Sequence, residues 1–148
     1  MHNLLINIEK KAKEHYKFIR CNFDFPVDLN YRKFLRDEKR YIVVVRIPNM
    51  NSNSIVAISV FSLHDDRLNS DYTVVKKEFR RLGINTRIKQ HIEDIAKSNY
   101  VDMITASVRE QNTNSLNSLL KCGYTISKRK YKYKNGDIKL RLFKTLSY

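Results

Sequence analysis

Val74-Val75-Lys76-Lys77-Glu78-Phe79-Arg80-Arg81-Leu82-Gly83-Ile84-Asn85-Thr86-Arg87-Ile88 decides how this chain is read. It parses as strand, basic turn, helix. The β-branched run that ends at Val75 is the strand, and Ile84, Ile88, Ile92 and Ile95, spaced four, four and three, mark one face of the helix. Between them sits the only glycine in the first 120 residues. A glycine where a helix begins lets a ligand come close to the backbone, and the first helical turn carries N–H groups without intrahelical partners. Such a turn favours anions. Beside Lys76, Lys77, Arg80, Arg81 and Arg87 its natural guest is a phosphate or pyrophosphate. An ordinary strand-to-helix connection with a solvated charged face accounts for the same stretch.

The chain around it has 148 residues, enough for one domain, 1–148, with a single core. With 42% hydrophobic and 30% charged residues it is globular rather than disordered. Its longest apolar run, Tyr41 to Val45, is too short for a bilayer, and no basic segment precedes the apolar Leu4 to Ile8 as in a signal peptide. A cytoplasmic protein with no membrane contact is expected. Cys21 and Cys122 read as free thiols, and His2, His15, His64 and His91 fall into no ligand pattern, so no metal is expected. The net charge of +14 points to polyanionic partners: nucleic acid, nucleotide phosphates, CoA or an acidic protein. It argues against polyamines as substrates.

In chain order, residues 3–16 read as a helix with Leu5, Ile8, Ala12 and His15 on one face, and Tyr16 to Phe23 as a first strand. Pro26 interrupts, and Asp28 is a fitting N-cap for a short helix through Leu29, Phe34 and Leu35. Arg40 to Ile47 and Ser54 to Leu63 form a strand pair about the loop 49–53, and His64 to Ser70 is a polar connection to a strand at Asp71 to Lys76. The helix beginning at Ile84 runs to about Lys97, and Val101 to Val108 is a strand buried on both faces, so that 71–108 make a β-α-β unit. Asn112-Thr113 caps a helix closed by Gly123, and the chain ends in a hairpin, Thr125–Tyr133 and Asp137–Leu146, about an Asn135-Gly136 turn of type I′. The whole is a mixed α/β, or α+β, domain.

Two segments now carry a resemblance over about residues 40–146. Val75, Phe79, Arg80, Gly83 and Asn85 follow the pattern of a strand end, an aromatic and Arg/Gln-x-x-Gly-x-Gly/Ala. Asn112 through Leu119-Leu120-Lys121-Cys122-Gly123-Tyr124 follows that of an Asn ahead of a helix ending in Gly-aromatic. In both, the chain resembles the GCN5-related N-acetyltransferase (GNAT) family. The resemblance implies a central, mostly antiparallel mixed sheet of about six or seven strands flanked by about four helices. Residues 40–146 would be the acetyl-CoA-binding core and 1–39 a variable helix-strand-helix. It implies acetyl-CoA as co-substrate, held by Val74, Val75, Arg80, Arg81, Leu82, Gly83, Ile84, Asn85, Thr86, Asn112, Ser115 and Lys121. The N–H groups from Arg81 to Thr86 would take the pyrophosphate, Val74-Val75 would pair with the pantetheine arm, and a backbone N–H there would stabilise the oxyanion. Asn112 would face the cofactor or act as a plain N-cap.

The chain departs from the family pattern twice. Asn85 replaces a small residue, so its side chain either points away from the pyrophosphate or bonds to it. Leu119 stands where many members carry the tyrosine that protonates the CoA thiolate, and leucine donates no proton. Asp71, with Tyr72 beside it, is the candidate for catalysis on the strand before the loop; Asp71 also reads as a solvated strand start, and His64 with Asp65-Asp66 is a further candidate group. The expected function is acetyl transfer to a primary amine of a protein, a peptide or an aminoacyl-RNA, by an N-acetyltransferase acting as monomer or homodimer. The alternative is a basic, non-catalytic module of the same fold that binds CoA or nucleic acid. Residues 128–148 hold eight cations against Asp137 alone. The hairpin from Lys128 to Lys144 is therefore either a surface for tRNA, the ribosome or an acidic protein, with Tyr131 and Tyr133 as stacking rings, or a protected edge.

Overall fold

In the computed structural model, residues 3–23, 30–48 and 54–147 are described. The strands are β1 (Leu5–Glu9), β2 (Arg40–Arg46), β3 (Ile55–Leu63), β4 (Leu68–Val75), β5 (Met103–Arg109), β6 (Thr125–Lys132) and β7 (Ile138–Thr145). They form one seven-stranded sheet in the order β1-β2-β3-β4-β5-β7-β6. Every neighbouring pair is antiparallel except β4 and β5. The helices are α1 (Lys13–Asn22), α2 (Tyr31–Arg36), α3 (Ile84–Ser98) and α4 (Thr113–Lys121).

Two apolar layers sandwich the sheet. Ile84, Ile88, Ile92 and Ala96 of α3 and Leu119 of α4 pack on one face with Val43, Val45, Phe61, Leu68, Ile104 and Leu142. Ile19 of α1 and Phe34 of α2 cover Ile42, Val44, Ile58, Val60 and Val74 on the other. β2 and β3 are buried on both sides because each face has its own helices, which is why they read as continuous apolar runs.

The first 39 residues run strand, helix, helix instead of helix, strand, helix. Leu5 to Glu9 is extended because its backbone completes a ladder with β2, Ile6 opposite Val45, while Leu5 and Ile8 stay on the exposed edge. The expected strand at Tyr16–Phe23 is instead the body of α1. It buries His15 and Ile19, four apart, against β3 and β4. Asp28 and the loop 49–53 lie outside the described residues; α2 is capped by Asn30, whose side chain accepts from the N–H groups of Arg32 and Lys33.

Three further readings change. β4 starts at the fully buried Leu68 rather than Asp71, because His64 N–H closes a tight turn on the Arg67 carbonyl. β5 alternates, with Ile104, Ala106 and Val108 buried and Met103, Thr105, Ser107 and Arg109 half-buried, since no described helix covers its second face. The terminal hairpin turns without type I′ geometry. Gly136 is left-handed, φ 91°, but Asn135 is not among the residues of positive φ; Gly136 N–H bonds the Tyr133 carbonyl and Tyr133 N–H the Asp137 carbonyl. That is a type I turn closed by a glycine bulge.

Candidate active site

β4 and β5 are hydrogen-bonded over only three residue pairs, Leu68 with Ile104, Asn69 with Thr105 and Ser70 with Ala106. Beyond Ser70, β4 follows β3 as far as Val75, whereas β5 follows β7 as far as Arg109. The two parallel strands therefore part. Among the described residues the facing backbone edges of 71–75 and 107–109 have no strand partner, which leaves donors and acceptors lining a cleft in the middle of the sheet.

At the mouth of the cleft the chain makes a short 3-10 turn, Lys77–Phe79, before α3. Arg81 (φ 63°) and Gly83 (φ 79°) are both left-handed, while Leu82 between them is not. Successive N–H groups are thereby turned outward in a backbone nest that runs into the free first turn of α3. Among the described residues no backbone acceptor takes the N–H of Arg81, Leu82 or Gly83. A side chain at Gly83 would meet nothing within 4 Å, so the space before the nest is open. Lys77, Arg81 and Arg87 have no ion-pair partner among the described residues, and Lys76 pairs with Glu78 at 3.6 Å. Arg80 is used differently. Its Nε donates to the Val75 carbonyl at 2.9 Å and its Nη2 to the Asn22 carbonyl at 3.0 Å, tying the loop to β4 and to α1.

Asn85 turns its Oδ1 to the Lys89 ammonium, 2.7 Å away on the next turn of α3. Burial pushes the Lys89 pKa down to about 8, against a partly opposing pull from Cys122. On the other wall Asn112 caps α4, its Oδ1 accepting from Ser115 N–H at 3.3 Å. Ser115 is half-buried beside it and Lys121 is exposed at the far end of the helix. Leu119 is 5% exposed and faces the core, with Ile84, Val74 and Val75 likewise buried or half-buried and Thr86 exposed.

Asp71 is the first residue past the last β4–β5 pair. It is also the extra residue of a bulge, since Val60 faces Tyr72 and Phe61 faces Ser70. The bulge puts Asp71 and Tyr72 on the same face of the sheet, where strand alternation puts neighbours on opposite ones. Tyr72 packs its ring edge-to-face on Phe23, centroids 5.8 Å apart. The Asp71 carboxyl accepts from Asn69 Nδ2, while its buried Oδ2 has no hydrogen-bond partner among the described residues and lies 3.6 Å from Arg40 Nε. Burial raises the Asp71 pKa, opposed by the Arg40 charge and the Asn69 bond. Arg40 and Asn69 were not singled out from sequence; they join Asp71 only through strand register and the bulge. His64, bonded to Ser62, and Asp66, paired with Arg67, sit at the closed start of β4. His15, placed in no ligand pattern above, does meet Glu9 and Glu14, but Arg46 binds both carboxylates at 2.8 and 3.2 Å and holds Glu9 below the usual carboxylate range.

A sheet parted between its parallel strands, with an anion nest at the parting, defines an acetyltransferase-type fold. The chain belongs to the acetyltransferase (GNAT) family, whose model matches residues 3–124. The family uses acetyl-CoA. Among solved structures, the fold is shared with the ribosomal-protein-S18-alanine N-acetyltransferase of Escherichia coli, at 15% identity and a TM-score of 0.74, over 97% of this chain and 96% of that one. A GNAT acetyltransferase from Elizabethkingia anophelis with acetyl-CoA bound gives 14% identity, a TM-score of 0.75 and 97% and 99% coverage. The NatC complex bound to Gag peptide and CoA gives 19%, 0.75, and 98% and 99%. No curated protein sequence matches the chain. No described helix is long and apolar enough to cross a membrane.

Proposed function

We propose that the protein transfers the acetyl group of acetyl-CoA to a primary amine, with residues 1–148 acting as one unit. The parting of β4 from β5 carries this reading. It leaves an unpaired strand edge that ends, at Val75, directly before an open nest of N–H groups. The residues fit the group. The N–H groups of Arg81 to Thr86 suit a pyrophosphate, with Lys77, Arg81 and Arg87 supplying charge, and the edge at Val74-Val75 suits the amides of a pantetheine arm. Asn112, Ser115 and Lys121 would line the opposite wall. Acetyl-CoA supplies an acyl group activated as a thioester.

The chain's own contribution is to hold and to move a proton. A backbone N–H on the free edge of β4 stabilises the oxyanion as the amine adds. The amine loses one proton overall. Asp71 Oδ2, without a hydrogen-bond donor among the described residues and with its pKa raised, is the group we assign to receive it, directly or through water. Tyr72 holds that stretch of β4 against α1. The proton then leaves on the CoA thiol, a far stronger acid than an alcohol, so Leu119 at the position of the usual acid is tolerable.

A peptide amine is the acceptor this reading favours, because the S18-alanine acetyltransferase and the peptide-bound NatC complex share the fold. Leu119, buried and protonless, is the observation that favours a non-catalytic CoA-binding module instead. Calorimetry with acetyl-CoA and CoA, followed by thiol release on adding peptide amines, separates the two. Binding with release supports the transferase, binding without release the module, and no heat with either ligand defeats both.

A further inference from the structure

The helices α1 and α2 cover only β2, β3 and β4 on their side of the sheet; no residue of β5, β7 or β6 joins that apolar layer. Among the described residues this half of that side has no helix over it, and it carries a particular set of side chains. Ser107 and Arg109 of β5 stand opposite Arg141 and Lys139 of β7, and Lys139 stands opposite Tyr131 of β6. Alternation places Arg129, Tyr131 and Tyr133 on this same face. Ser107 and Arg109 lie beyond Ala106, where β5 has lost β4, so the face begins at the wall of the cleft.

The cations on it are ordered by rings. Arg129, Arg141 and Lys139 approach the Tyr131 ring at 5.3, 5.2 and 5.7 Å, and Arg109 and Lys139 approach Tyr133 at 4.2 and 5.4 Å. Arg109 is neutralised by Asp137, Nε to Oδ2 3.2 Å. Arg129, Lys139 and Arg141 have no ion pair among the described residues. Elsewhere on the hairpin Lys130 pairs with Glu110 and Lys144 with Glu93, both outside this set.

We propose that this face seats an acidic, extended segment of the acceptor polypeptide. Its carboxylates would pair with Arg129, Lys139 and Arg141 while its amine stands in the cleft. The inference rests on the transferase reading only for the word acceptor; the seat itself stands on the charge and geometry of β6 and β7. A guanidinium packed beside a ring keeps its N–H fork free for bidentate contact with a carboxylate. Lys139 and Arg141, two residues apart on one strand, are spaced about 7 Å, as are alternate side chains of an extended peptide. A single-stranded nucleic acid would need the tyrosine rings as stacking surfaces, and three cations already crowd Tyr131.

Fluorescence anisotropy tests the seat without requiring turnover. The probes are three labelled peptides of one length with a free N-terminal alanine, followed by alternating Asp-Ser, Asn-Ser or Lys-Ser, and a single-stranded RNA of equal charge. The acidic peptide should bind about tenfold more tightly than the neutral one at low salt, an advantage that shrinks as salt rises. The double variant Arg129→Gln, Arg141→Gln should lose most of that advantage. Arg129→Lys, Arg141→Lys should keep much of it, and circular dichroism melts check that both fold; Lys139→Gln is an independent single-site probe. Equal binding of acidic and neutral peptides overturns the proposal. So does RNA that binds more tightly than the acidic peptide and responds to the same variants. Loss of thiol release with the peptide advantage intact would instead count against the transferase reading alone.

Discussion

Two parts of the cleft wall are built on different principles. The wall that suits the cofactor is made from one continuous stretch, Val74 to Thr86, and its chemistry is that of the backbone: a free strand edge, two left-handed residues and a helix start. The wall around Asp71 is made from side chains that are remote in sequence. Arg40 comes from β2, Asn69 from β4 before its bulge, Asp71 from the bulge itself, and Thr105, which donates to Asn69 at 2.8 Å, from β5. A backbone site tolerates most side-chain changes and fails when its dihedral angles are denied. A side-chain site fails by single atoms.

The largest effect should come from the side-chain wall. Asp71→Asn keeps the size of the residue and its bond to Asn69 but removes the carboxylate proposed as the base. Acetylation rate at neutral pH should fall about 100-fold, with acetyl-CoA affinity unchanged in calorimetry. In the wild type the rate should drop as pH falls through the raised pKa of Asp71, and the variant should lose that limb. The folded-state pKa is raised, so the charged carboxylate costs stability above it. Melting temperature at neutral pH should therefore be no lower in the variant. An unaltered rate would remove Asp71 from catalysis.

Next comes the backbone wall. Gly83→Val forces a β-branched residue into φ 79°. The strain of about 1–2 kcal/mol in the left-handed region, or a flipped loop that avoids it, should weaken acetyl-CoA at least about tenfold. Leu82→Ala, one residue away and 48% exposed, should do almost nothing. Were the two equally damaging, the loop would be acting through side chains and the contrast between the walls would be lost. A smaller effect tests what holds the loop. Arg80→Ala removes bonds to the Val75 and Asn22 carbonyls and should cost about 1.5 kcal/mol of stability, read by urea unfolding, with a few-fold loss of acetyl-CoA affinity.

The same contrast explains what the sequence disclosed. The strand, turn and helix around Gly83 were legible because the period of the isoleucines and a single glycine are local signals. The capped α4 and the terminal hairpin were legible for the same reason. The N-terminal elements were not. Leu5, Ile8, Ala12 and His15 keep helical spacing, yet the ladder to β2 overrides it, and Ile19 turns inward only because β3 and β4 lie beneath. Asp71 was visible as a carboxylate near the loop, but not the bulge that turns it to the face of Tyr72. Nor was the spending of Arg80 within the fold, which from sequence counted among the cofactor's cations.

Lys89 gives the finest test, because it lies one helical turn behind the nest and belongs to neither wall. Its ammonium has the Asn85 oxygen as partner, and Cys122 nearby on the chain after α4 only partly offsets the cost of burial. The pKa near 8 lies below the value of a free lysine, so folding is opposed by the charged form at every pH under about 8. That opposition fades as pH rises from about 8 towards the unfolded value, because over this range the unfolded chain binds more protons than the folded one. Lys89→Met should therefore stabilise the protein at pH 7 by at most about 3 kcal/mol and flatten the rise in stability above pH 8. If the nest is a backbone device, freeing the Asn85 oxygen leaves acetyl-CoA affinity where it was. An affinity that falls together with the gain in stability would show that Asn85, oriented by Lys89, contributes its side chain to the anion site, and the first wall would then be only partly made of backbone.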